Sequence, residues 1–196
     1  QASIGNLNHA KQEVGTMNAR RTILSLACVV TAIFTTSIVR ADFTFGEPVN
    51  LRTVIPDIDP AHEGPVCLSY DGLEMYIESD RPDGVGGFDL WVFKRASTDS
   101  NWGPAENLGP LVNTSKDDGS ASISVDGLTL YYTSDIGRQW PDIYVTTRPT
   151  RDAPWGTPVG LGPKVNTAEG NGGPWISPDD LELYFWSFGI PQGCLR

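Results

Sequence analysis

The chain has 196 residues and a formal net charge of −10 at pH 7, with 39% hydrophobic and 10% aromatic side chains. That length supports one modest core rather than several domains. The acidity excludes a nucleic-acid binder, because no stripe of Lys and Arg exists to displace counterions from phosphate.

Residues 1–16 carry no periodic pattern and read as a disordered tail or as upstream sequence ahead of Met17. Met17-Asn18-Ala19-Arg20-Arg21 is then a basic leader, Thr22 to Val39 an uncharged apolar stretch, and Val39-Arg40-Ala41 a small-residue cleavage site. Residues 17–41 are predicted to be a secretory signal peptide, with an uncleaved anchor as the alternative because the apolar core is long for a signal. Ser25-Leu26-Ala27-Cys28 faintly suggests lipidation, but the apolar run continues past Cys28. Cleavage removes four basic residues and one acid, leaving a still more acidic chain that is secreted or periplasmic and makes no membrane contact.

Residues 42–196 form an array. Ser69-Tyr70-Asp71-Gly72-Leu73 returns 55 residues later as Ser124-Val125-Asp126-Gly127-Leu128, and 53 later again, altered, as Ser177-Pro178-Asp179-Asp180-Leu181. Periods of this size belong to solenoids and propellers. Asp89-Leu90-Trp91 pairs with Asp142-Ile143-Tyr144, Trp102-Gly103 with Trp155-Gly156, and Val112-Asn113-Thr114 with Val165-Asn166-Thr167. Phe45-Gly46-Glu47-Pro48 matches the Trp-Gly segment, so the array starts mid-repeat. The boundaries are a partial blade at 43–65, repeats at 66–120 and 121–173, and a truncated repeat at 174–196.

Within each unit, Leu73, Met75 and Ile77 alternate with Glu74, Tyr76 and Glu78, which is the period of a strand. Asp-Gly before the run is tight-turn chemistry. Four antiparallel strands per unit are predicted: 66–69, 73–79, 89–95 and a weaker one at about 106–112. No helical periodicity follows Ala41. The fold class is therefore all-β, a propeller-type array of four-stranded blades, two full and two partial. A closed propeller needs more blades, so the chain is expected to be a truncated product that self-associates through open strand edges.

The order Ser-x-Asp-Gly-Leu, then Ser-Asp-Arg-Pro-Asp-Gly-x-Gly-Gly-x-Asp-Leu-Trp from Ser79, then Trp-Gly-x-Pro-x-x-Leu-Gly-Pro-x-Val-Asn-Thr from Trp102, resembles the WD-like β-propeller repeats of TolB-type bacterial envelope proteins over residues 43 to 187. The resemblance implies a secreted or periplasmic propeller serving in binding or assembly. It brings no catalytic residues. The third copy departs from it, since Phe188 to Cys194 lacks the Gly-Gly-x-Asp-Leu-Trp continuation.

Candidates for chemistry are few. His62 has no nucleophile beside it in sequence and reads as a solvated loop residue, and one His with two Cys makes no zinc motif. Cys67 and Cys194 are read as buried or unpaired thiols, with a bridge between them as the alternative. The loop Asp80 to Asp89 resembles a calcium loop without the bidentate Glu. Asp71, Asp126 and Asp179 recur in all three units, and Asp89 and Asp142 in the two full ones, as turn and strand-end residues, whereas a catalytic pair needs asymmetric surroundings. Trp91, Tyr144, Trp102 and Trp155 are repeat positions, the last two packing blade against blade. No cofactor, metal or catalytic residue is assigned. The sequence is read as a non-catalytic scaffold for a protein or cell-wall polymer, contacted through Trp140, Tyr76 and Tyr131. The alternative is a polysaccharide-acting enzyme using Asp carboxylates.

Overall fold

A computed structural model of the chain describes residues 46–55, 58, 64, 67–137 and 139–188, together with the backbone of 194–195. Two units divide the chain, Gln1–Glu47 and Pro48–Arg196. The leader, the apolar stretch, Cys28 and His62 lie outside the described residues.

Three antiparallel sheets follow one another in the second unit. The first is β1 (Cys67–Leu68), β2 (Glu74–Ser79), β3 (Asp89–Lys94) and β4 (Glu106–Asn107), paired in chain order. The second repeats it as β5 (Asp118–Ile123), β6 (Thr129–Ser134), β7 (Asp142–Thr147) and β8 (Val159–Gly160). The third has β9 (Asn171–Ile176), β10 (Leu183–Ser187) and β11 (Cys194–Leu195), with β10 central. The chain is thus an all-β, propeller-type array with two complete blades and an incomplete third. Between residues 46 and 64 the described residues hold no strand, only a 3-10 turn at Leu51–Thr53. That segment contributes side chains to the core instead.

The turns explain the recurring Asp. Ser69 Oγ donates to Asp71 Oδ1 at 2.7 Å, the Leu73 N–H donates to the same oxygen at 3.1 Å, and the Glu74 N–H donates to Ser69 Oγ at 2.9 Å. Ser124 with Asp126 and Ser177 with Asp179 repeat the arrangement, each hydroxyl donating to its Asp at 2.6 Å. Gly72 takes φ 72°, a region open to glycine at no steric cost. In the third copy Asp180 holds it at φ 58°, as a short polar residue can.

The fourth strands are shorter than expected, two residues each. The reason lies in Val-Asn-Thr. Asn113 Oδ1 accepts from the Leu90 N–H at 2.8 Å and its Nδ2 donates at 3.0 Å to Leu90 O, which the Leu108 N–H also reaches at 3.1 Å, so the amide side chain takes over the pairing where the fourth strand leaves off. Asn166 does the same to Ile143, at 2.8 and 2.9 Å. The sheets also begin earlier than the repeat boundaries, β5 at Asp118 and β9 at Asn171. Each is drawn in by the preceding β2–β3 or β6–β7 loop: the Asp118 N–H donates to Phe88 O at 2.7 Å and the Asn171 N–H to Pro141 O at 2.8 Å.

Both faces of the first sheet are buried. Met75, Ile77, Trp91 and Phe93 pack with Ile55 on one side, while Tyr76, Leu90 and Val92 pack against Leu130 and Tyr132 of the second sheet and Trp155 of its β7–β8 connection on the other. Period-two alternation here selects which neighbour a side chain meets, not core against solvent. This corrects one expectation: Tyr76 is 0% exposed, so it is no exposed contact residue. Each of these large side chains contributes about 1.5–3 kcal/mol through burial.

Candidate functional site

One device recurs in the two complete repeats, and in the second it reaches across to the first sheet. Arg148, at the end of β7, donates from Nε to Gly127 O at 2.8 Å and from Nη1 to Arg151 O at 2.7 Å, with its guanidinium 4.4 Å from the Trp155 ring centre. Arg95 does likewise one repeat earlier, on Gly72 O at 2.7 Å, Thr98 O at 2.9 Å and the Trp102 ring at 4.3 Å. The Arg locks the hairpin turn, and the Trp covers the Arg. Between the first two sheets Arg148 goes further and donates to Glu74 Oε2 at 2.6 Å, with both side chains buried. Arg151 adds a second, short ion pair with Asp71. Tyr76 Oη donates to Glu74 Oε2 at 3.0 Å, and burial together with the Glu74 charge pushes the phenol far above its usual pKa.

The third sheet turns the corresponding face outward. Its β10 alternates in exposure, and Tyr184, Trp186 and Phe188 are 40%, 41% and 69% exposed. Trp175, paired with Tyr184 in register, lies 5.4 Å from it, ring centre to ring centre. Phe188 sits 4.9 Å from Trp186 and 6.0 Å from Trp140, which stands at the rim in the β6–β7 loop and is 47% exposed. Trp140 is thereby brought into a group of three rings with Phe188 and Trp186, which with the Trp175–Tyr184 pair makes a track of five exposed aromatic side chains in two groups. Tyr131 is half-buried at the junction of the second and third sheets, where desolvation and the Asp180 charge raise its pKa. The other four rings of the track went unpredicted from sequence. The available signal was that Trp175 and Trp186 stand where earlier copies have Cys67 and Ser122, and Glu78 and Thr133.

A second, acidic cleft of about 180 Å³ lies beside the β2–β3 loop, lined by Glu78, Asp117, Asp118 and Asp135. Desolvation is the chief cause that raises the pKa of Glu78, Asp118 and Asp135; the charge of Asp117 adds to it at Glu78 and Asp135, and that of Asp89 at Asp118. Asp118 accepts from the Thr114 N–H at 2.6 Å through Oδ2, while its buried Oδ1 makes no hydrogen bond. Among the described residues, no group of three or more His, Cys, Asp or Glu is arranged to hold a metal ion.

The remaining candidates have local roles. At Asp71, hydrogen bonds from Ser69 and the Leu73 N–H, with the Arg151 charge, outweigh desolvation and hold the carboxyl below the usual range. Asp126 and Asp179 are lowered too, first by their Ser hydroxyls and then by the Leu128 and Leu181 N–H groups. Asp89 accepts from the Val85 N–H, from the Gly86 N–H at 3.1 Å and from Asn107 Nδ2 at 2.9 Å, so the calcium-like loop spends its carboxylate on its own backbone. Asp142 and Trp91 are buried, and Tyr144 packs on Tyr132 with ring centres 6.0 Å apart. Cys67 carries a free thiol whose pKa burial raises; the side chain of Cys194 lies outside the described residues. No helix among the described residues is long and apolar enough to cross a membrane.

No family model matches the sequence. No curated protein matches it either. Among solved structures the chain is similar to the crystal structure of TolB from Acinetobacter baumannii, at 17% identity and a TM-score of 0.48, over 68% of this chain. It spans 29% of that structure's length.

Proposed function

We propose that the chain is a secreted, non-catalytic binding scaffold, exported by residues 17–41, whose partner is a protein or cell-wall polymer. The observation that carries this reading is the exposure of Trp175, Tyr184, Trp186, Phe188 and Trp140 in two ring groups, since clustered exposed aromatics mark interaction surfaces. Supporting it, Asp71, Asp126 and Asp179 share one turn role and lowered pKa values, which suits structural carboxylates and not general acids. The test is retention of the purified chain on immobilised envelope proteins and insoluble cell-wall polymer. Retention that falls on Trp186→Ala, without turnover of the polymer, is the expected result; equal retention by that variant overturns it.

A polysaccharide-acting enzyme is the second reading, favoured by the cleft of Glu78, Asp118 and Asp135, whose raised pKa values suit proton donors. It requires release of reducing sugar that Asp118→Asn abolishes. Intact polymer after prolonged incubation removes it.

A further inference from the structure

Four Asp-Gly steps occur in the sequence, at Asp71, Asp83, Asp118 and Asp126, and one Asn-Gly step at Asn171. Such steps share a chemistry. The glycine nitrogen attacks the side-chain carbonyl carbon of the residue before it and closes a five-membered succinimide, because no Cβ on the glycine hinders the approach. How fast this happens depends on how firmly the fold holds the two reacting atoms.

Four of the five steps are held. Asp71 Oδ1 accepts from Ser69 Oγ and from the Leu73 N–H, while the Gly72 N–H donates to Ser69 O at 2.8 Å. Asp126 repeats this on Ser124 Oγ and the Leu128 N–H, with the Gly127 N–H donating to Ser124 O at 2.9 Å. Asp118 is fully buried in β5, where its Oδ2 accepts from the Thr114 N–H and Gly119 pairs with Thr133 of β6. Asn171 is fully buried in β9 and pairs with Ser187 of β10.

Asp83-Gly84 is the exception. Both residues are exposed in the β2–β3 loop, and the Asp83 carboxylate accepts no hydrogen bond among the described residues. In the held turns the glycine takes the left-handed conformation, Gly72 at φ 72° and Gly127 at φ 74°. Here Asp83 takes it instead, at φ 70°, where a Cβ is crowded. A Cβ on residue 84 would stand 2.7 Å from Asp89 Oδ2, which the Asn107 amide holds, so packing keeps a glycine beside the unprotected carboxyl.

We propose that Asp83 is a site of spontaneous isoaspartate formation in the folded protein. The Gly84 nitrogen bonds to Asp83 Cγ, and the hydroxyl of the protonated carboxyl leaves with the amide proton as water. Water then adds back to the ring. Opening at Cγ restores aspartate; opening at the main-chain carbonyl leaves the chain running through Cγ, with no change in oxidation state. That product lengthens the main chain by one methylene just before Gly84. The Val85 and Gly86 N–H groups then lose their register on Asp89. The same loop carries Phe88, whose N–H donates to Asp117 Oδ1 at 3.0 Å and whose carbonyl accepts from the Asp118 N–H at 2.7 Å. The modification therefore loosens the contact between the first and second sheets, whatever the scaffold binds.

The test holds the full-length protein at neutral pH and physiological temperature for weeks, beside a sample kept in urea, and locates isoaspartate by methyltransferase labelling and peptide mapping. In the folded sample it should accumulate at residue 83 at least about tenfold faster than at 71, 118 or 126, a difference that unfolding abolishes. Asp83→Asn, which loses ammonia in place of water, should convert faster still, and Asp83→Glu, which would need a six-membered ring, should give no signal there. Amide exchange at Val85 and Gly86 should quicken in the modified fraction. Equal accumulation at all four steps in the folded protein, none at residue 83, a stable Asp83→Asn variant, or the same ranking in urea overturns the proposal. Exchange at Val85 and Gly86 that ignores the modification overturns the loosening.

Discussion

Arg148 Nη2 and Glu74 Oε2 meet at 2.6 Å across the junction of the first two sheets, 74 residues apart in the chain and both shielded from water. A buried pair of this kind returns little net energy while whole, yet leaves a stranded charge when halved. Arg148→Ala is therefore expected to cost about 3–5 kcal/mol, and Glu74→Gln a comparable amount. Combining Glu74→Gln with Arg148→Met should cost less than the sum by about 1–3 kcal/mol, read from urea unfolding in a double-mutant cycle. Additive losses would show that the two side chains do not couple.

Asn113 holds the Leu90 N–H and shares the Leu90 carbonyl with the Leu108 N–H, in a place where an apolar side chain would leave one buried donor unpaired. Asn113→Ala is expected to lower stability by about 1–3 kcal/mol and to speed hydrogen exchange at the Leu90 amide selectively. Exchange at Leu90 unaltered by the substitution would contradict the role given to that side chain.

The acidic cleft sets a pH dependence. Glu78, Asp118 and Asp135 have folded-state pKa values raised above their unfolded values, chiefly by desolvation, so the folded protein binds protons more readily than the unfolded chain there. Their contribution to stability falls as pH rises from the ordinary carboxylate pKa through the raised ones, and recovers on the way down. Asp71 and Asp126, with lowered values, act in the opposite sense and lose stability only as pH falls below the ordinary carboxylate range. Asp118→Asn should thus be more stable than the parent at pH 7.5, with the difference shrinking toward acid in parallel thermal melts. A gap independent of pH would refute this.

Gly86 packs where nothing larger fits. A Cβ there would stand 2.2 Å from Thr114 O and 2.6 Å from Lys116 O, both main-chain atoms. Gly86→Ala is expected to cost about 1–3 kcal/mol and to release the β2–β3 loop, seen as a lower Tm and protease cleavage between residues 81 and 88. A variant melting with the parent would mean that the loop does not rest on residues 114–116.

Much of the fold was legible because its determinants are local. Ser69, Asp71, Gly72 and Leu73 close their own turn within five residues, and the run from Glu74 to Ser79 declares its period without reference to anything distant. The Val-Asn-Thr motif was visible as a repeat but mute as to purpose, since Asn113 acts on a strand 23 residues earlier. Tyr76 was misplaced for a related reason. Alternation marks two faces, and only packing tells whether the second meets water or another sheet.

Taken alone, the order of residues determined the repeating unit, its strands and turns, and the net acidity, because each is a property of neighbours along the chain or of composition. Tertiary structure decided which faces are covered, that Arg148 finds Glu74, and that Trp140 joins rings from a different repeat. Those outcomes depend on how one twisted sheet stacks on the next, and stacking brings together residues that no periodicity relates.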